Sequence, residues 1–169
     1  PLIWDPSAGT GGFLIELLSY FKNNFQNIDW NSINNIHGYD INKNTYCLLK
    51  QNLYYSIHEK APYGIKLCDS LNDNNHENFQ YIFSNPPFGV KGLEYKNVND
   101  SIKKINISGT KGELLFLQLC MSKLKNNGTC CIIVPGGVLT NETKMYKNTR
   151  KYLIQNFNIT NIYKLSGNK

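Results

Sequence analysis

The sequence predicts an α/β protein with a doubly wound, mostly parallel sheet, because strand-like and helix-like segments alternate along its 169 residues. Two apolar runs, residues 2–4 and 81–83, are typical of buried strands, and each leads directly into a turn built from glycine or proline. Ligand sites in open α/β sheets form where parallel strands end. Both turns are therefore candidate parts of one site.

Each predicted element follows from the hydrophobic pattern of its segment. Apolar runs predict strands at residues 2–5, 36–40, 64–68, 81–84, 129–134 and 159–165. One-sided apolar patterns predict helices at residues 12–25, 43–58, 113–125 and 142–156. The apolar face of the first helix consists of Phe13, Leu14, Leu17, Leu18, Phe21 and Phe25. Gly128 follows the third helix, where a C-terminal cap is expected. Residues 71–80 and 89–112 are expected to be irregular.

The glycine loop, residues 5–12, lies between the first predicted strand and the first predicted helix. Glycine has no Cβ, so a ligand can approach the backbone there, and the start of a helix favours an anionic group. The loop lacks the third glycine of the dinucleotide fingerprint, and Asp40 follows its first glycine by about thirty residues instead of about twenty. Asp40 is expected to accept hydrogen bonds from ribose hydroxyls. A nucleoside cofactor without a pyrophosphate, such as S-adenosylmethionine, suits this loop better than a dinucleotide.

The Asn-Pro-Pro-Phe turn, residues 85–88, is the most informative feature of the chain. Asn85 offers a neutral amide acceptor, and the two prolines fix φ and remove backbone donors, which leaves carbonyls free to accept. Phe88 adds a flat apolar face. Two acceptors on a stiff turn can hold both hydrogens of an exocyclic amino group without a charged base. The turn therefore predicts group transfer to a planar amino group.

Together these motifs resemble those of the adenine-specific DNA methyltransferases, most closely the modification subunit of type I restriction-modification systems. Residues 5–15 are similar to the cofactor motif of that family and residues 85–89 to its catalytic motif. Further similar stretches are residues 38–41, 68–71 and 127–139. The resemblance covers nearly the whole chain. It implies the Rossmann-like fold of class I S-adenosylmethionine-dependent methyltransferases, here without its final strand.

By this resemblance, methyl transfer is a direct displacement by the amino nitrogen of an adenine that has been flipped out of the duplex. The implied catalytic residues are Asn85, Pro86, Pro87 and Phe88. Asn85 and the Pro86 carbonyl would hold the amino group, and Phe88 would stack on the base.

The resemblance also implies a site for S-adenosylmethionine. Its cofactor-binding residues are Asp5, Pro6, Gly9, Thr10, Gly11, Asp40, Ile41, Asp69 and Ser70. In this site Asp40 would bind the ribose, Ile41 would cover one face of the cofactor adenine, and Asp69 would accept from its amino group. Asp5 and the loop glycines would surround the methionine moiety.

Composition agrees with this interpretation. The net charge of +6 and the pI near 9.0 suit a polyanionic partner. The resemblance implies double-stranded DNA, a specificity subunit and a restriction subunit as partners. The histidines and cysteines lack metal-ligand spacing, so no metal site is expected. No apolar stretch approaches the length of a membrane span and no signal sequence is present, so we expect a cytoplasmic protein.

Residues 89–112 are too long for an ordinary connection, so we expect either a functional lid or disorder. The segment carries Lys91, Lys96, Lys103, Lys104 and Lys111 directly after the Asn-Pro-Pro-Phe turn. From there it could clamp a phosphate backbone. Both ends of the chain look cut, so we interpret residues 1–169 as one catalytic core from a larger protein.

The sequence is also compatible with two other functions. Asn-Pro-Pro followed by an aromatic residue also occurs in methyltransferases of ribosomal RNA and of release-factor glutamine, because all these acceptors are planar amino groups. Phe followed by Gly favours the DNA enzymes. The second alternative is a catalytically silent scaffold that binds S-adenosylmethionine.

Overall fold

A parallel sheet of five strands lies at the centre of the computed structural model, which describes residues 1–25, 34–57, 62 and 64–165. In chain order the strands are β1 (Ile3–Asp5), β2 (Ile36–Asp40), β3 (Gly64–Leu67), β4 (Phe79–Ser84) and β5 (Leu124–Ile132). Their spatial order is β3-β2-β1-β4-β5, and neighbouring strands are parallel. The predicted doubly wound sheet is confirmed. Its order reverses between β1 and β4, which is where ligand sites of such sheets form.

The helices lie on both faces of this sheet. They are α1 (Gly12–Asn24), α2 (Lys43–Ile57), α3 (Asp100–Ile105), α4 (Gly112–Lys123), α5 (Gly137–Thr140) and α6 (Lys144–Asn156). The second predicted helix extends to His58, which lies outside the described residues. None of the helices in the described ranges has the length and apolar character needed to cross a membrane.

Successive residues of the central strands point to opposite faces of the sheet and so feed two apolar layers. On one face, Ile3 packs with side chains of α1 and α2, among them the fully buried Leu14. On the other face, Trp4 and Ile82 pack with α4 through Leu115. α6 packs outside α4. The two layers hold the carboxyl ends of β1 and β4 side by side.

Gly128 does not cap a helix, so that prediction is wrong. α4 ends at Lys123 and β5 begins at the next residue, which places Gly128 inside the strand. The left-handed backbone, with φ of 59°, belongs instead to Asn127. A Cβ on Gly128 would lie 2.9 Å from the carbonyl oxygen of Gln80 in β4. Glycine is therefore needed here for the close approach of two strands.

The predicted strand at residues 159–165 is also wrong, because residues 158–165 adopt no regular secondary structure. The apolar pattern of a strand is present. A strand also needs a neighbouring edge, and in the described part of the chain this segment pairs with none. The side chains of Ile162 and Tyr163 are 66% and 80% exposed, so they have no apolar layer to pack against.

Residues 89–112 are more ordered than we expected. They contain a 3-10 helix, Tyr95–Asn97, and the short helix α3. The side chain of Asn99 caps α3 by accepting a hydrogen bond from the Ile102 amide at 3.0 Å. Ile102 and Ile105 are buried. The prediction of an irregular or disordered segment is therefore wrong over this stretch, and α5 was not predicted at all.

Candidate functional site

The glycine loop runs from the carboxyl end of β1 to the start of α1 with an open backbone. Gly9 has φ of 57° and Gly11, the N-cap of α1, has φ of 98°, so both occupy left-handed conformations that favour glycine. A Cβ on Gly9 would meet only the Ser7 carbonyl oxygen at 4.0 Å, and a Cβ on Gly12 would meet nothing within 4 Å. A ligand can therefore lie directly against this backbone.

Three hydrogen bonds tie the glycine loop to the ends of neighbouring strands. The Gly9 amide donates to Asp40 Oδ2 at 3.1 Å, which joins the loop to the end of β2. The Ser70 hydroxyl donates to the Pro6 carbonyl at 2.6 Å, which joins it to the turn after β3. The hydroxyl oxygens of Ser7 and Ser84 lie 3.0 Å apart, which joins it to the end of β4.

Asp40 lies at the end of β2, half-buried, with its carboxylate turned towards the glycine loop. Its Oδ1 atom accepts a hydrogen bond from the Asn42 amide at 2.7 Å, and its Oδ2 atom accepts the bond from Gly9. Each carboxylate oxygen has two acceptor positions, so Asp40 can accept further hydrogen bonds from hydroxyl groups. The side chain of Ile41, next to it, is 70% exposed and offers an apolar surface.

Asp5 is a buried carboxyl group at the start of the glycine loop. Its pKa is raised from the ordinary value of 3.8 to about 7, chiefly by burial; hydrogen bonds from Ser7 oppose this rise, and the nearby Asp40 carboxylate adds to it. One of these hydrogen bonds comes from the Ser7 amide to Asp5 Oδ1 at 3.0 Å. A cation placed beside Asp5 would stabilise its ionised form.

The Asp69–Ser70 pair lies in the turn that follows β3. Asp69 Oδ1 accepts from the Leu71 amide at 3.0 Å and its Oδ2 accepts from the Asn72 side chain at 2.8 Å. Ser70 is buried, and its carbonyl accepts from the buried side chain of Asn99 at 3.3 Å. The segment that follows the Asn-Pro-Pro-Phe turn is therefore bonded to this part of the predicted cofactor site.

The Asn-Pro-Pro-Phe turn extends from the carboxyl end of β4. Ser84, directly before it, is fully buried, and its carbonyl accepts a hydrogen bond from the Ile133 amide at 2.9 Å. Pro86 is buried, whereas Asn85 is exposed and Phe88 is 51% exposed. Within the described ranges, the side chains of Asn85 and Phe88 form no hydrogen bond or ring contact. The turn is anchored at its base and presents free groups above it.

The structure thus brings the predicted cofactor residues into one connected set, and it places the turn next to them through Ser84. It also adds positioning residues that sequence reasoning missed. These are Ser7 and Ser84 as a pair, Asn52, whose side chain donates to the Thr10 carbonyl at 2.9 Å, and Asn99. Ser84 directly precedes Asn85, which was a usable signal. Local sequence gave no signal that Ser7 is the partner of Ser84, because 77 residues separate the two serines.

Comparison with known proteins matches residues 1–168 to the family described as N-6 DNA Methylase. The chain is 27% identical over 172 residues to the type I restriction enzyme MpnII methylase subunit of Mycoplasma pneumoniae, which covers 92% of this chain and 31% of that protein. It is 28% identical over 170 residues to the type I restriction enzyme EcoEI methylase subunit of Escherichia coli, which covers 96% of this chain and 34% of that protein.

Solved structures have the same fold. A chain from a structure of a type I R-M system has a TM-score of 0.74 and 26% identity, and the match covers 90% of this chain and 31% of that chain. The class I methyltransferase fold expected from the sequence is confirmed. This chain spans about a third of the length of the proteins it matches here.

Proposed function

Because this chain belongs to the N-6 DNA methylase family, we propose that it forms the cofactor-binding and catalytic core of an adenine-N6 DNA methyltransferase. One observation carries the proposal: the hydroxyl oxygens of Ser7 and Ser84 lie 3.0 Å apart. This contact holds the glycine loop beside the residue that precedes Asn85. A methyl donor on the loop and an amino acceptor on the turn would then meet at one sheet edge, as group transfer requires.

S-adenosylmethionine fits the residues around the glycine loop. The open backbone at Gly9 admits the ligand, and Asp40 keeps acceptor positions for ribose hydroxyls. The buried carboxyl of Asp5 offers a countercharge for the ammonium group of the methionine moiety. When bound, the cofactor would supply an electrophilic methyl group to the acceptor nitrogen; its S–CH3 bond would break, the thioether would leave, and the nitrogen would lose one proton.

The remaining cofactor residues have separate tasks in this proposal. Ile41 covers one face of the cofactor adenine with its exposed side chain. Asp69 accepts from the adenine amino group with the positions left free by its own turn. The Ser70 hydroxyl already donates to the Pro6 carbonyl, so Ser70 acts by holding the loop in place.

The acceptor end of the reaction belongs to the Asn-Pro-Pro-Phe turn. The Asn85 side-chain oxygen and the Pro86 carbonyl each accept a hydrogen bond from the target amino group. Both stabilise the positive charge that develops on its nitrogen. Pro87 keeps the turn rigid. Phe88 stacks on the flipped base and so offsets part of the few kcal/mol needed to take a base out of the duplex.

For the whole protein we propose the role of modification subunit in a type I restriction-modification system. The names of the relatives support this, since both are methylase subunits of type I restriction enzymes. Double-stranded DNA would be the substrate. A specificity subunit would choose the site and a restriction subunit would join the complex, all in the cytoplasm.

The test compares three substrates as acceptors of the tritium-labelled methyl group of S-adenosylmethionine. The full-length protein with its partner subunits is incubated with duplex DNA, with ribosomal RNA and with a release factor. We expect label in DNA alone. Label in RNA or in the release factor would replace the proposal with one of those activities, and binding of the cofactor without any transfer would indicate a silent scaffold.

A further inference from the structure

Two adjoining cavities lie directly beyond the Asn-Pro-Pro-Phe turn. The first has a volume of about 480 Å³ and is lined by residues 89–93 together with Thr110, Lys111 and Glu113. The second has a volume of about 580 Å³ and lies between residues 106–111 and the start of α6. Thr110 and Lys111 line both cavities, so the two adjoin, and together we call them the lysine groove.

Lysines without an ion-pair partner line the lysine groove. They are Lys91, Lys111 and Lys144. Across the residues that the structure describes, none of the three lies within ion-pair distance of a carboxylate. In contrast, Lys96 pairs with Glu94 at 3.0 Å, and Lys147 pairs with Glu142 at 2.7 Å, outside the groove. The groove therefore concentrates uncompensated positive charge.

Glu113, the acidic residue that lines the groove, is hydrogen-bonded to a tyrosine and forms no ion pair with the three lysines. Glu113 is buried, and its Oε1 atom accepts a hydrogen bond from the Tyr146 hydroxyl at 2.5 Å. This bond joins α4 to α6 below the groove. Gly109 allows the loop above to pack closely on α6, because a Cβ there would lie 2.1 Å from Met145 Sδ. The groove walls are thus fixed by packing.

Gly89, the first residue that lines the groove, directly follows Phe88 in the sequence. Phe88 is the predicted base-stacking side chain. A flipped base remains covalently attached to its sugar and to the phosphates on either side. A DNA strand carries one negative charge per 3.4 Å of helix axis. A strand whose base stacks on Phe88 would therefore carry phosphates close to Gly89, where the groove begins.

We propose that the lysine groove binds the sugar-phosphate backbone of the strand that carries the target adenine, with Lys91, Lys111 and Lys144 as phosphate contacts. The proposal rests on the proposed function, because it takes duplex DNA as the substrate. Because the groove contacts phosphates only, it increases the affinity for DNA and positions the strand. It adds no preference for sequence.

The test uses the full-length protein with its partner subunits and the triple variant Lys91→Gln, Lys111→Gln, Lys144→Gln. Duplex DNA binding is measured by fluorescence anisotropy across a series of salt concentrations. Each lost phosphate contact lowers the salt slope of log K by about 0.9, so we expect a decrease of about 2 to 3 for the triple variant. The control is Lys147→Gln, which removes a paired lysine outside the groove and should leave the slope unchanged.

Two further readouts separate the groove from the catalytic site. The triple variant should bind S-adenosylmethionine with wild-type affinity and should raise KM for DNA while kcat at saturating DNA stays within about twofold. An unchanged salt slope in a variant that still methylates DNA would overturn the groove and leave the proposed function intact. Failure of the wild-type protein to methylate DNA would instead count against the proposed function.

Discussion

The hydroxyl oxygens of Ser7 and Ser84 lie 3.0 Å apart, although 77 residues separate the two serines along the chain. Ser7 belongs to the glycine loop and Ser84 directly precedes Asn85. The contact bridges the carboxyl ends of β1 and β4, which are neighbours in the sheet. It therefore couples the place proposed for the methyl donor to the place proposed for the acceptor.

A double-mutant cycle tests this coupling. Ser7→Ala and Ser84→Ala should each lower the free energy of unfolding by about 1 kcal/mol, and the double variant should lose less than the sum, because both remove the same hydrogen bond. Denaturation with urea measures the three values. Ser122→Ala is the control, because it also removes a serine hydroxyl that forms a hydrogen bond. That bond, to the Leu119 carbonyl, lies within α4. Strictly additive losses at Ser7 and Ser84 would contradict the coupling.

The ribose role of Asp40 is tested by cofactor affinity. Asp40→Ala should weaken S-adenosylmethionine binding by about 1–3 kcal/mol, because ribose hydroxyls and the Gly9 amide lose their acceptor. Titration calorimetry on the full-length protein measures the effect. Asp100→Ala, which removes an exposed carboxylate paired with Lys103, is the control. Equal affinity of the wild type and the Asp40 variant would reject the assignment.

The buried carboxyl of Asp5 predicts a pH dependence of stability. Its pKa is about 7 in the folded protein against 3.8 ordinarily, so its contribution to stability is present below about pH 4 and is lost as the pH rises through 7. Relative to Asp5→Asn, the wild type should lose free energy of unfolding on the order of 4 kcal/mol between these values. Urea denaturation at a series of pH values measures it. Parallel profiles for the two proteins would show that burial does not perturb Asp5.

Phe88 should act on the flipped base and not on the fold. Phe88→Ala should lower the fluorescence change of 2-aminopurine at the target position, because stacking on an aromatic side chain contributes about 1–3 kcal/mol per base. Phe25 is 53% exposed, against 51% for Phe88, so Phe25→Ala is a matched control. The same fluorescence change in both variants would mean that Phe88 does not hold the base.

Local patterns predicted the elements that build the site. The apolar runs before the glycine loop and before Asn85 became β1 and β4, and the apolar face after the loop became α1. These predictions succeeded because each buried face repeats with the period of its own element. The resemblance then named the candidate residues, and the structure groups those of the cofactor site around one loop.

The errors came from interactions between distant parts of the chain. Residues 159–165 have the pattern of a strand, but pairing depends on a neighbouring edge that the pattern cannot supply. Gly128 was assigned to a cap because it follows a predicted helix. The close approach of the Gln80 carbonyl depends on strand pairing, which local sequence does not show. For α3 a local signal did exist, since Asn99 is a good N-cap residue and Ile102 and Ile105 are spaced for one helical face.

The identity of the methylated base tests the central claim most directly. Duplex DNA treated with the full-length protein, its partner subunits and S-adenosylmethionine is digested to nucleosides and analysed by mass spectrometry. We expect N6-methyladenine with the wild type and none above background with Asn85→Ala, while the cofactor affinity of the variant stays nearly unchanged. Methylated cytosine, or undiminished N6-methyladenine with Asn85→Ala, would contradict the central claim.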